Sequence, residues 1–335
     1  MYFDDQDAEM RPRSSTSQLA RPRWTLLIGL ILSLGLHPGG LTAQTDKPEK
    51  LTHHEADDRD PAYSPDGRKV VFESNRDGNW ELYLLDLKSS KIQRLTDNSA
   101  SDRQAAWSPN GQELVFQRSR RGKGTHLYRM SIKDREAEPI RTYPGEVSNP
   151  HWSPDGKWIA FTSDRDGQPE VYIIQLESGR ELRITEGEHR SIAPRWSPDG
   201  RRLLYFSRSA SAGRHDDISM AFLAEDPVTV LALQGQPRSL TQTKGHEFVP
   251  AWSPDGKRWV HARSHGEVRD LQVLDLPAPS STGTDDQAET TSSLVTLAPG
   301  FDRINGPDWS SDGEHIVFSA RLKGESYDIY QIAAP

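Results

Sequence analysis

One phrase returns six times along this chain, and it constrains the fold more than any other feature. It reads Tyr63-Ser64-Pro65-Asp66-Gly67, Trp107-Ser108-Pro109-Asn110-Gly111 and Trp152-Ser153-Pro154-Asp155-Gly156, then Trp196-Ser197-Pro198-Asp199-Gly200, Trp252-Ser253-Pro254-Asp255-Gly256 and Trp309-Ser310-Ser311-Asp312-Gly313. Successive copies begin 44, 45, 44, 56 and 57 residues apart. Self-similarity at such a period means that each copy is one supersecondary unit, stable only when stacked on its neighbours.

The chemistry of one copy says which unit it is. In Ser-Pro-Asp-Gly the proline presets φ at the second turn position, Asp suits the third, and Gly relieves crowding at the fourth. A short strand ending in Trp or Tyr precedes the turn. A strand with an apolar centre follows it, as in Val70-Val71-Phe72 or Trp158-Ile159-Ala160-Phe161. After a polar loop comes a third strand, such as Leu82-Tyr83-Leu84-Leu85 or Val171-Tyr172-Ile173-Ile174, and a fourth ends near Leu95-Thr96, Ile184-Thr185 or Leu240-Thr241. The middle strands are almost continuously apolar, which fits sheets packed on both faces. Six such units predict an all-β, six-bladed β-propeller of four-stranded blades, with blades starting near residues 60, 104, 149, 193, 249 and 306.

The ends of the chain predict how the ring closes. The sixth repeat supplies three strands, around Trp309, Ile316-Val317-Phe318 and Tyr327-Asp328-Ile329-Tyr330, and then stops. Glu49-Lys50-Leu51-Thr52 matches the missing fourth strand, so residues near 49–52 are expected to complete the last blade. Two blades carry insertions. Ala224 to Gln236 is partly apolar and is expected to pack on the surface. Residues 277–293, rich in Ser, Thr, Asp and Gly, are expected to form a mobile loop. The propeller is thus assigned to 44–335, with no second domain expected.

Residues 1–43 read as a signal peptide. Arg11, Arg13, Arg21 and Arg23 precede the apolar run Trp24 to Leu36, His37-Pro38-Gly39-Gly40 breaks it, and Leu41-Thr42-Ala43 offers a cleavage site. The run is shorter than the roughly 20 residues of a spanning helix, so no stable membrane span is expected after cleavage. The acidic opening is unusual for a leader, and Met10 offers an alternative start. Absence of cysteine excludes disulfides, thiolate metal sites, a cysteine nucleophile and the lipidated cysteine of a lipoprotein. With 41 basic against 49 acidic residues, the net charge of −8 argues against a nucleic-acid binder.

The repeats resemble those of TolB-like proteins, whose Trp-Ser-Pro-Asp-Gly blades form a six-bladed periplasmic propeller; the likeness spans about 51–332. The third repeat carries it most fully, with Ser163-Asp164-Arg165-Asp166-Gly167 and Val171-Tyr172 after its turn. Likeness to WD40 repeats is weaker, since Gly245-His246 is the single Gly-His pair and no Trp-Asp closes a repeat. The resemblance implies a periplasmic or secreted protein-binding module of the bacterial envelope. In that family the propeller receives the peptidoglycan-associated lipoprotein, and a separate N-terminal α/β domain communicates with inner-membrane Tol proteins. That domain is not expected here, which leaves only the propeller's role to carry over. A monomer is expected.

Ligands of propellers usually sit at the mouth of the central channel. Five to seven positions before each repeat aromatic lie Asp57 and Asp58, Asp102, Glu146, His189 and Arg190, His246 and Glu247, and Asp302 and Arg303, with Arg59 and Arg103 one position later. The loops between second and third strands add Arg165 and a basic stretch with Arg120, Arg121 and Lys123. This ring is polar and of mixed sign, unlike the uniformly basic patch that phosphate recognition would favour, and propeller rims are solvated and charged in any case. Asp-x-Asp-Gly at 164–167 lacks the further oxygen ligands of a calcium loop. No cofactor or metal is expected. A rival reading, a carbohydrate-active lyase, would place its site around His189 and His246; a non-catalytic glycan or small-ligand binder is the third. A serine hydrolase is disfavoured because no Gly-x-Ser-x-Gly elbow occurs.

Overall fold

The computed structural model describes residues 47–120, 122–187, 190–208, 216–223, 237–241, 247–265, 268–276 and 294–335. The leader and both insertions lie outside them. The described strands form six four-stranded antiparallel sheets, one per repeat. Their inner strands are Asp58–Tyr63, Ser101–Trp107, Val147–Trp152, Ser191–Trp196, Glu247–Trp252 and Arg303–Trp309, and we number the blades 1 to 6 in that order. Among the described residues no helix is long and apolar enough to cross a membrane.

The repeated phrase is a turn clamp in every blade. The Ser64 hydroxyl donates to Asp66 (2.6 Å) and accepts the Lys69 N–H (3.0 Å); Ser153, Asp155 and Trp158 do the same in blade 3. Asn110 stands in for Asp in blade 2 without loss of the bond. The phrase also sets the spacing between blades. A Cβ on Gly200 would lie 3.3 Å from the ring of Pro154, and one on Gly313 would lie 3.3 Å from Pro254. Proline of one repeat therefore rests where the glycine of the next has no side chain. At the seam, where Ser311 replaces proline, Gly67 faces the Ser311 hydroxyl instead.

Each inner strand bulges three residues before its aromatic. Asp60, Gln104, Asn149, Ala193 and Gly306 all take positive φ there, as expected of a bulge that re-aims the strand. Pro61, Pro150, Pro194, Pro250 and Pro307 follow in five blades, at positions where the ladder is already broken and no N–H is needed.

The core lies between blades. Val71, Leu82 and Leu84 of blade 1 meet Leu114, Phe116 and Met130 of blade 2, all buried. Equivalent layers join the other blades, with Trp259 fully buried in blade 5.

The N-terminal strand closes the ring, as the sequence predicts. Glu49–Lys50 pairs antiparallel with Asp328–Ala333, Glu49 opposite Gln331 and Lys50 opposite Tyr330. Lys50 reaches Asp328 at 2.6 Å, and the Thr52 hydroxyl accepts the Ile329 N–H at 2.9 Å. This closure copies a clamp present in blades 1 and 3. Thr96 accepts the Leu82 N–H and donates to buried Glu81, which also pairs with Arg94. Thr185 accepts the Val171 N–H and donates to buried Glu170, which pairs with Arg183. The Leu-Thr signature thus lies just beyond the fourth strand and ties it to the acid that opens the third.

Candidate functional site

The loops entering the inner strands share one end of the ring with those joining second to third strands. Asp58 opens the inner strand of blade 1 and is fully buried, with both oxygens 2.9 Å from Arg76. Asp102 in blade 2 is likewise buried, clasped by Arg118 at 2.6 and 2.7 Å and by the Asn98 amide at 2.8 Å. Arg76 and Arg118 lie over Tyr83 and Tyr128 of their own third strands. Blade 3 has Val147 at the corresponding place. With no carboxylate on the inner strand, Arg165 turns outward, stacking on Tyr172 at 3.9 Å and pairing with Glu181 of the outermost strand. The sequence makes these residues look like rim groups; the fold uses all three to brace a blade from within.

Glu146 is exposed and accepts the Thr125 hydroxyl. Arg190 lies 5.9 Å from the Phe206 ring. Glu247 begins the inner strand of blade 5, its backbone paired with Arg263. His189, His246 and Arg121 lie outside the described residues.

Arg59 and Arg103 have a different setting, one the sequence reading missed. The Arg59 guanidinium lies 4.2 Å from the centre of the Tyr327 ring and 5.3 Å from that of Trp80. Arg103 lies 4.4 Å from the same Trp80, and Arg321 5.1 Å from the same Tyr327. The order Arg321, Tyr327, Arg59, Trp80, Arg103 therefore runs continuously across blades 6, 1 and 2. Each contact of this kind contributes on the order of 0.5–2 kcal/mol.

Acids hold the stack in register. Asp57 accepts from Arg59 at 2.8 Å and from the Tyr327 N–H at 2.9 Å. Glu73 takes Arg103 at 2.7 and 3.0 Å and the Gln104 N–H at 2.9 Å. Asp302 lies 3.4 Å from Arg321 and 3.7 Å from Arg303. Trp80 is half-buried, Arg59 is 23% exposed and Arg321 33% exposed, and Leu322 beside them is an exposed large apolar residue at 42%. The result is a pre-ordered surface of guanidinium and aromatic groups. Such residues dominate the energetics of protein interfaces and lose little side-chain entropy on binding when already stacked.

Among the described residues one group has the donors to hold a metal ion, Asp312, Glu314 and His315. It lies on the Ser-Ser-Asp-Gly turn at the opposite end of the ring, away from the stack.

Fold and motif together define a six-bladed propeller protein built of Trp-Ser-Pro-Asp-Gly blades. The model of the TolB beta propeller domain matches residues 41–147 and 105–232, and the chain belongs to that family. It is 29% identical over 243 residues to the Tol-Pal system protein TolB of Francisella tularensis, covering 60% of this chain and 55% of that protein. It is 30% identical over 168 residues to an uncharacterised protein of Agrobacterium fabrum, covering 50% of this chain and 52% of that one. The chain thus spans about half the length of these relatives. The solved structure of a putative TolB from Agrobacterium tumefaciens superposes with a TM-score of 0.62 at 20% identity, covering 85% of this chain and 93% of that one. An oligogalacturonate lyase from Vibrio parahaemolyticus has the same fold, with a TM-score of 0.54 at 14% identity, 87% of this chain and 96% of that one being covered.

Proposed function

We propose that this protein is a binding module of the bacterial envelope, periplasmic or secreted, that engages a protein partner at the channel mouth. The observation that carries this reading is the stack from Arg321 to Arg103, which presents ordered guanidinium and aromatic surface beside exposed Leu322. Family membership supports the setting, and the leader-like residues 1–43 support export. The name of the Francisella relative points to a peptidoglycan-associated lipoprotein as the partner to test. Of the other mouth residues, Glu146, Arg190, Glu247, Asp302 and Arg303 would form the rim of the interface. The lyase reading depends on His189 and His246, and no described geometry favours it.

The test is a calorimetric titration of the protein with the soluble domain of that lipoprotein from the same organism. Saturable binding is expected, weakened about tenfold or more in Arg59→Ala/Trp80→Ala. Equal affinity in wild type and variant contradicts the mouth assignment. Absence of binding, with turnover of oligogalacturonate instead, contradicts the binding reading altogether.

A further inference from the structure

The residue immediately before each repeat aromatic occupies a common register on the inner strands. It is alanine in blades 1, 2 and 5 (Ala62, Ala106, Ala251) and His151, Arg195 and Asp308 in blades 3, 4 and 6. A cavity of about 230 Å³ lies at the end of the ring that carries the Ser-Pro-Asp-Gly turns, touched by blades 2 to 6. A space bordered by the inner strands of five blades is the central channel itself. His151, Arg195 and Asp308 all line it, ringed by tryptophans and by prolines of the turns. Ala251 lines it too, whereas Ala106 packs in the layer between blades 2 and 3 and Ala62 against the layer between blades 1 and 2.

The polar groups are fixed from behind. His151 Nδ1 accepts the Trp196 N–H at 3.3 Å, which places the imidazole proton on Nε2 as a donor. Burial, and then the Arg195 cation, bring His151 down to about 3, so it is neutral. Asp308 Oδ2 accepts the Tyr63 N–H at 2.8 Å, and burial pushes its carboxyl up to about 6.

We propose that this cavity binds a small monocarboxylate, its carboxylate on the Arg195 guanidinium and the His151 Nε2–H and its apolar body against the tryptophan and proline rings. Arg195 Nη1 donates to the Pro194 carbonyl at 3.0 Å, and a guanidinium carries five donors, so a carboxylate can share it with the protein. A second negative charge on the ligand would face Asp308, which selects against dicarboxylates. The site is separate from the mouth and does not rest on the partner proposed there.

Its pH dependence follows from the groups around Asp308. Arg195 stays charged, and His151 and the Tyr63 phenol, which burial pushes up, stay neutral from about pH 5 to 7.5. Asp308 alone ionises in that window, and its charge opposes the bound anion. Binding therefore weakens as pH rises through about 6.

The test is calorimetric titration of benzoate into protein purified after expression of the full chain, near pH 5 and near pH 7.5. One-site binding is expected, tighter at the lower pH. Arg195→Gln should weaken it about tenfold or more with an unchanged melt. Should that variant fail to fold, Arg195→Lys, which keeps the charge without the fork, is expected to weaken it as well. Asp308→Asn should remove the difference between the two pH values, and Arg59→Ala at the mouth, whatever it does to partner binding there, should leave the affinity for benzoate as it was. No saturable binding near pH 5, equal affinity in the folded Arg195 variant, or loss of binding in Arg59→Ala would each overturn the proposal.

Discussion

Removing residues 44–52 should lower the melting temperature by roughly 6–12 °C. The deletion takes away the strand Glu49–Lys50, the Lys50–Asp328 ion pair, the Thr52 hydroxyl that accepts the Ile329 N–H, and Leu51, which packs against the core between blades 6 and 1. Lost apolar burial and unmade hydrogen bonds together cost about 3 kcal/mol, and each kcal/mol is worth about 2–4 °C in a chain of this size. The deletion also bares the edge strand Asp328–Ala333, whose apolar Ile329, Tyr330 and Ile332 invite pairing with another chain. Concentration-dependent association should therefore accompany the lower melt. A melt equal to that of the intact protein would mean that the first strand does not hold the ring.

Asp102→Ala should be the most damaging single change at the mouth, costing about 3–5 kcal/mol. Breaking a buried ion pair leaves an uncompensated charge; here the stranded group is the Arg118 guanidinium, whose side chain is only 11% exposed. Adding Arg118→Leu removes that charge and should restore most of the lost stability. Urea denaturation of the two single variants and the double variant measures this directly as a cycle. If Asp102 served recognition at the mouth instead, its removal would leave the denaturation midpoint unchanged and weaken only binding.

The fold was legible because its signals are local and repeated. Turn chemistry in Ser-Pro-Asp-Gly, apolar second and third strands, and an unmatched Lys50-Leu51-Thr52 at the start were enough to name six blades and their closure. The contact of each proline with the next blade's glycine was not legible, since it joins residues a whole repeat apart. The Leu-Thr signature was visible, but its acid partner was not. Glu81 and Glu170 stand some fifteen positions earlier, and only the hairpin brings them to Thr96 and Thr185.

The site is less legible than the fold, for a physical reason. Position before the inner strand identifies residues near the mouth, but it does not say whether a side chain faces solvent or its own blade. Asp58 and Asp102 face inward because an arginine of the same blade waits for each, and Arg165 turns to a carboxylate on the outermost strand of its own blade. Trp80 and Tyr327 do carry a signal in the sequence: each is an aromatic immediately before the acid that opens the third strand, Trp80-Glu81 and Tyr327-Asp328. Their stacking with Arg59 appears only when blades 6, 1 and 2 are brought side by side. The triad His151, Arg195 and Asp308 could also have been found, because it breaks the alanine pattern before the repeat aromatic.

The most direct test of a protein-binding mouth is cross-linking in the envelope itself. The protein and its Arg59→Ala/Trp80→Ala variant, matched in melting temperature, are produced in the native host and treated with a short cross-linker. Captured proteins are then quantified by mass spectrometry. One envelope protein, captured stoichiometrically by the wild type and depleted in the variant, is the predicted result. The same capture profile from both proteins would contradict the account.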